Sequence, residues 1–320
     1  MEEFYLGAEI GCAKQQLAVC DGEGRMVERV GENVPHPNGA EDILSWLGAN
    51  VDALLARFPG VRRIGVGFGG PLETATGRVL VSVQVPGWKD FALKQWFERR
   101  FGRETVVVND TVAGGYAELK LGSGRGSRVF FYTNIGSGIG GALFIGGRTW
   151  DGVGFGAAYL GNTYTADWTA SAPGARTRIE ALCCGPAIEA RLRAPGYVPA
   201  DSALVGLCGG DVSAADCRML RRAAEAGDAF ALGEIARVGE TFGVGVATVV
   251  SLIGADTIAI GGGVANMGEI LLAPMRASAE KHAFVSARGR FRIVRAALVR
   301  DNVPVGAALY ARDGFNALGV

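Results

Sequence analysis

Residues Phe130–Gly147 read FFYTNIGSGIGGALFIGG: an apolar run, a Gly-Ser-Gly-Ile-Gly-Gly turn, and a second apolar run. Four glycines (Gly136, Gly138, Gly140, Gly141) within six residues let the backbone turn tightly and leave N–H groups open to an anion. Gly136, Gly138 and Gly141 also satisfy the dinucleotide fingerprint G-x-G-x-x-G. That motif demands a helix directly after the glycines. Here Ala142–Ile145 is apolar and β-capable, and Gly146-Gly147 follows at once. The unit therefore reads as a β-hairpin with a phosphate-sized mouth. Taken alone, it is equally a plain glycine-rich hairpin.

Working outward, the chain has 320 residues, enough for two domains, with 49% hydrophobic and 20% charged residues, as in a globular protein. Lys plus Arg equals Asp plus Glu at 32 each, so no net basic field points to nucleic acid or an anionic membrane. The start, MEEFYLGAEIG, is acidic and runs straight into a strand, which predicts no signal peptide. No apolar run is expected to reach membrane-spanning length; the longest, around Val244–Ile253, is interrupted by Gly245, Thr248 and Ser251. Six cysteines without a Cys-x-x-Cys pair read as reduced thiols of a cytoplasmic protein. With only His36 and His282 available, a Cys/His zinc site is not expected.

Upstream of the hairpin, strands are predicted at Phe4–Ile10, Gln15–Cys20 and Arg25–Val34, and a helix from the spacing of Ile43, Leu47, Val51, Leu54 and Phe58. A strand at Arg63–Phe68 ends in Gly69-Gly70-Pro71. A helix around Phe91–Phe101, a strand at Thr105–Val108 and a helix at Thr111–Leu121 complete the half. Downstream, strands are predicted at Val129–Asn134, Ala142–Ile145, Arg148–Trp150, Thr257–Ile260 and Arg292–Val299. Helices are predicted at Gly185–Leu192, Ala214–Ala226, Ala229–Ile253, Met267–Ala283 and Pro304–Leu318, and Thr163–Arg178 reads as an inserted loop. The succession β-β-β-α-β-α-β-α thus occurs twice. The boundary is placed at the linker-like Gly122–Ser127, giving an N-terminal domain of residues 1–121, joined by the closing helix 304–320, and a C-terminal domain of 122–303.

The chemistry-bearing groups follow the same order. Glu9 and Lys14 flank the turn Gly11-Cys12-Ala13-Lys14; a carboxylate beside a phosphate needs a cation between them, usually Mg²⁺, although both residues also read as solvated strand-edge charges. Asp110 follows Asn109 where a strand stops and a helix starts. It is the candidate general base, with a helix N-cap as the competing reading. Gly261-Gly262-Gly263-Val264-Ala265-Asn266 offers bare backbone to a flat group, or is a strand-to-helix turn capped by Asn266.

That order resembles the sugar-kinase, Hsp70 and actin superfamily, and within it the ROK family of repressors, open reading frames and sugar kinases. Ile64–Leu72 (IGVGFGGPL) is similar to the family's GVGVPGPV and Val85–Trp88 to its LPGW. Val107–Asp110, with Ala113 and Glu118, is similar to the segment bearing the catalytic Asp. Asn134–Gly141 is similar to LGTGIGGG, with Ser137 for Thr, and Ile258–Ala265 to the adenosine segment. The resemblance implies an α/β fold of two ribonuclease-H-like (actin-like ATPase) domains with an interdomain cleft. It also implies an ATP- and Mg²⁺-dependent carbohydrate kinase that acts on a small-molecule sugar as a homodimer or higher homo-oligomer. By that resemblance Asp110 is the general base, and Gly70, Asn109, Tyr159, Asn162 and Glu180 hold the sugar. Glu9, Gly11, Lys14, Gly136, Ser137, Gly138, Gly140, Gly141, Gly262, Gly263 and Asn266 hold the nucleotide and its metal.

The departures are specific. DIGGTK becomes Glu9–Lys14, EIGCAK, with one methylene more on the carboxylate and no hydroxyl for phosphate. The sugar-binding GELGH becomes Ala158-Tyr159-Leu160-Gly161-Asn162. The zinc segment CxCGxxGCLE becomes Ser171–Glu180, SAPGARTRIE, so zinc is expected to be absent and the sugar atypical. A catalytically silent sugar- or nucleotide-sensing protein is the alternative. A DNA-binding repressor would need a helix-turn-helix ahead of the first strand and a basic excess.

Overall fold

The structure is a computed structural model that describes residues 2–12, 14–82, 84–298 and 301–318. The expected phosphate turn Gly11–Lys14 contains Ala13, and the expected strand Arg292–Val299 ends on Val299; both positions lie outside the described residues. In the first half, β1 (Phe4–Ile10), β2 (Lys14–Asp21) and β3 (Met26–Asn33) form a meander. It is followed by α1 (Ala40–Arg57), β4 (Val61–Phe68), a short hairpin of β5 (Leu72–Glu73) and β6 (Arg78–Val79), α2 (Leu93–Phe101), β7 (Glu104–Asn109) and α3 (Asp110–Leu121). The second half opens with β8 (Val129–Asn134), β9 (Gly141–Ile145) and β10 (Arg148–Trp150). Then come β11 (Tyr164–Ala166), β12 (Arg176–Arg178), α4 (Ile179–Cys183), α5 (Gly185–Leu192), α6 (Ala203–Leu207) and α7 (Cys217–Glu225). It closes with α8 (Ala229–Ile253), β13 (Thr257–Gly261), α9 (Glu269–His282), β14 (Arg292–Arg295) and α10 (Asn302–Asp313).

Two five-stranded sheets carry this mixed α/β fold, with orders β3-β2-β1-β4-β7 and β10-β9-β8-β13-β14. The duplicated order read from the sequence is thus a duplicated sheet topology. In the first sheet the meander pairs antiparallel, whereas β1–β4 and β4–β7 pair parallel. The parallel trio ends on one edge, so the turns after Ile10, Phe68 and Asn109 emerge side by side, as ligand-binding loops of parallel sheets do. The chain divides into two compact units, one of Met1–Tyr132, Ala142–Ala158 and Ala297–Val320, the other of Thr133–Gly141 and Tyr159–Ala296.

In the first unit α1 buries Ile43, Leu47, Val51 and Leu54, spaced three and four apart, onto Leu6, Leu17 and Ile64. Val85–Trp88 plugs the same core: Trp88 is fully buried and meets Phe68 edge-on at 5.2 Å, while the Pro86 carbonyl accepts the otherwise orphan Ala40 N–H at 2.9 Å. The opposite face is glycine-lined. A Cβ at Gly7 would stand 1.8 Å from the Pro304 carbonyl oxygen, one at Gly65 1.8 Å from that of Ala307, and one at Gly306 1.8 Å from that of Ala113. So α10 lies directly on the sheet and against α3. Glu118 of α3 is fully buried, and its carboxylate accepts from Ser123 N (2.8 Å), Ser123 Oγ (2.6 Å), Ala297 N (3.1 Å) and Leu298 N (2.6 Å). Four donors satisfy a carboxylate that would otherwise be costly to bury.

Two sequence expectations need correction. Thr163–Arg178 is not an irregular loop but contains the antiparallel pair β11–β12. Its strands are three residues long and largely exposed, so they leave no alternation of apolar side chains to read. And α8, with 25 residues and mean hydropathy 1.4, is long and apolar enough by composition to cross a membrane. Within its own unit it is a packed helix: a Cβ at Gly239 would stand 2.7 Å from the Leu271 carbonyl oxygen and one at Gly243 2.5 Å from that of Met275, both on α9.

Candidate functional site

In the first unit, the strand-end turns gather the expected residues. Asn109 is the N-cap of α3: its Oδ1 accepts from Thr111 N at 3.0 Å, while its Nδ2 donates to the carbonyls of Gly70 (3.2 Å) and Phe68 (3.4 Å). The cap reading of Asp110 therefore belongs to its neighbour. Asp110 stands inside the first turn, where its Oδ1 accepts from Thr111 N (2.7 Å) and Thr111 Oγ1 (3.3 Å). A Cβ at Gly69 would come within 3.3 Å of Asp110 Oδ2, so the glycine admits that oxygen to the loop after β4. Burial of the carboxyl raises the Asp110 pKa, partly offset by the Thr111 hydrogen bonds.

Glu9, at the end of β1, is pushed up to about 7. Burial is the main cause and the Asp110 charge adds to it, against the lowering effects of the Gln16 hydrogen bond and Lys14. Lys14 itself is exposed at the start of β2. Two carboxyl groups in one another's field, both held toward their neutral forms, fit a cation arriving with phosphates, since Mg²⁺ is usually held by one or two carboxylates together with substrate oxygens. Among the described residues no cluster of three or more His, Cys, Asp or Glu side chains could hold a metal by itself.

The Glu9 shift predicts a pH effect on stability. Between its ordinary value of 4.5 and about 7, the folded protein keeps a proton that the unfolded chain has released. Stability therefore falls as pH rises through that window, and Glu9→Gln flattens the fall. Thermal melts of both proteins from acid to neutral pH check it; parallel curves would contradict it.

In the second unit, the Gly136–Gly141 turn is fastened through three of its amides. Gly136 N donates to Gly138 O (3.0 Å), Ile139 N to Glu180 Oε2 (2.6 Å) and Gly140 N to Asn134 Oδ1 (2.9 Å). Among the described residues the amides of Ser137 and Gly138 have no partner, and Ser137 is exposed. The loop thus offers two adjacent donors, as a nest for an anion does. Ile135, just ahead, donates to Gly261 O (2.9 Å) and accepts from Val264 N (3.0 Å), locking the loop to the triple-glycine turn. Gly262 has φ +86°, and a Cβ there would lie 2.4 Å from Ile135 O, so only glycine suits the position. Gly263 is open to solvent space on its missing Cβ side. Asn266 does not cap α9; its Oδ1 accepts from Arg295 Nη2 at 2.5 Å.

The short 3₁₀ turn Leu160–Asn162 lies on the same loop, because a Cβ at Gly161 would stand 2.4 Å from Ile139 O. It presents Tyr159, 36% exposed, and the exposed Asn162. Glu180, at the start of α4, uses Oε2 on Ile139 N. In the second unit the structure therefore brings together Gly136–Gly141, Tyr159, Asn162, Glu180 and Gly262-Gly263. In the first it brings together Glu9, Gly69-Gly70, Asn109 and Asp110. Sequence reasoning passed over Gln16, whose signal was a Gln-Gln pair inside an otherwise apolar strand. It also passed over Ile139, which reads as an ordinary core residue.

The ROK family profile matches residues 5–313. The glucokinase of Thermotoga maritima is 28% identical over 319 residues, covering 96% of this chain and 97% of its own. A ROK family glucokinase from Streptomyces griseus, solved with glucose and AMPPNP, superposes with TM-score 0.78 at 28% identity, over 97% of this chain and 100% of that one. The ROK hexokinase of Thermus thermophilus superposes with TM-score 0.74 at 27% identity, over 96% and 97%.

Proposed function

The chain belongs to the ROK family, and on that premise we propose that it transfers the terminal phosphoryl group of ATP to a hydroxyl of a sugar. The observation that carries the proposal is Asp110, a partly buried carboxyl at the ends of parallel strands whose capping duty is taken by Asn109. Asp110 accepts the proton of the attacking hydroxyl, and burial, by raising its pKa above the ordinary carboxylate value, favours that uptake. Asn109 and the Gly70 backbone orient the acceptor. Ser137 and Gly138 donate their amides to phosphate oxygens, Lys14 adds a positive charge, and Gly262-Gly263 gives the base of the nucleotide a flat bed. Bound Mg²⁺ supplies neutralisation of phosphate charge, and Glu9 is the residue to hold it.

The sugar differs from the family's usual one. Where an acid and an imidazole grip sugar hydroxyls, this chain has Tyr159 and Asn162, an aromatic face for C–H surface and an amide for hydrogen bonds. Glu180 remains, and among the described residues its Oε1 has no hydrogen-bond partner, which leaves it for a hydroxyl. The experiment is a coupled ADP-release assay over hexoses, amino sugars and polyols, with calorimetry of ATP. Turnover is expected on at least one, favouring acceptors with an apolar face. No turnover on any, with no ATP bound, would overturn the proposal.

A further inference from the structure

Glu9 stands directly opposite Gln16 in the β1–β2 register. Gln16 is 2% exposed and donates Nε2 to Glu9 Oε2 at 2.5 Å. Its Oε1 accepts from Arg29 Nη2 at 2.6 Å, and Arg29 Nε lies 2.7 Å from Asp301 Oδ1, just ahead of α10. The four side chains form one line from the strand end to the closing helix, all within the first unit. Room for it comes from Gly31, which faces Gln16 across β3; a Cβ there would lie 3.3 Å from Gln16 Cγ.

The orientation of the amide is fixed by chemistry. Arginine can only donate, so Gln16 must turn its oxygen to Arg29 and its NH₂ to Glu9. Asp301 pairs with the guanidinium by charge in turn. Glu9 is one methylene longer than the aspartate common in its family, and its extra torsion would let the carboxylate swing. The amide of Gln16 engages Oε2 and so fixes one of the two carboxylate oxygens.

We propose that Gln16 is a positioning residue, held by Arg29 and Asp301, that aims the Glu9 carboxylate at the divalent cation accompanying the nucleotide. This rests on the kinase reading above. Partners that orient a metal-holding carboxylate typically change metal affinity about 10–100-fold when removed.

The test is a titration of Mn²⁺ in the presence of ATP, followed by electron paramagnetic resonance, for wild type, Gln16→Leu, Arg29→Leu and Glu9→Asp. Gln16→Leu is expected to weaken Mn²⁺ binding about 10-fold and leave sugar KM unchanged. Arg29→Leu, at a side chain 40% exposed and so safe for folding, is expected to shift it in the same direction by less. In the Glu9→Asp background, where the shorter side chain no longer reaches Gln16, Gln16→Leu should add little. Unchanged Mn²⁺ binding in both Gln16→Leu and Arg29→Leu, with only a lower Tm, would overturn the proposal and leave the kinase reading standing. A wild type that binds no Mn²⁺–ATP overturns both.

Discussion

Asp110→Asn is expected to lower sugar phosphorylation by about 10²–10⁴-fold, the usual worth of a positioned general base. It should do so with little change in the affinity for ATP. The fold should survive because Asn109, not Asp110, caps α3, and because an amide oxygen can still accept from Thr111 N. The replacement removes a base and keeps the shape, so the loss should fall on kcat, not KM. Circular dichroism and a thermal melt control for folding. A kcat within a few fold of wild type on the best acceptor would assign the proton transfer to another group, Glu9 being the nearest candidate on electrostatic grounds.

Gly65→Ala is expected to destabilise the protein by about 3–5 kcal/mol, at the severe end for one added methyl. The added Cβ would need to occupy a point 1.8 Å from the Ala307 carbonyl oxygen, inside the van der Waals shell of a backbone atom that no rotamer change can move. The same change at Gly306, 1.8 Å from the Ala113 carbonyl oxygen, pushes α10 off α3. By contrast, Gly102→Ala sits at a helix C-cap with φ +61° and no atom within 4 Å, so it carries only local backbone strain of about 1 kcal/mol. Urea denaturation ranks the three; equal losses at Gly65 and Gly102 would show that α10 does not lie tight on the sheet.

Much of this fold was legible because its strands and helices declare themselves by period. The meander, the parallel strands and the alternation that repeats after Gly122–Ser127 were read from apolar spacing and glycine turns, and the two sheets follow the same order. What was not legible was short or exposed. The β11–β12 pair buries too little to show a pattern. Glycines 7, 65 and 306 look like ordinary small residues in a strand or helix, since a requirement for close backbone approach leaves no trace in one sequence. At the site, residue types at turns pointed to Asp110, the glycine loop and the triple-glycine turn. The division of labour between Asn109 and Asp110 needed coordinates, because both are good cap residues. The anchoring of the glycine loop by Glu180 and Ile135 also needed them, because those contacts join segments 41 residues apart and more.

The most direct measurement is phosphorus NMR of the protein with Mg²⁺–ATP and each sugar of the hexose, amino-sugar and polyol panel in turn. An ATP-dependent sugar kinase gives a new sugar phosphomonoester resonance growing in step with ADP, present with wild type and absent with Asp110→Asn. ATP left intact, or hydrolysed to ADP and inorganic phosphate with no phosphomonoester on any sugar, would contradict phosphoryl transfer to a sugar hydroxyl as the activity of this chain.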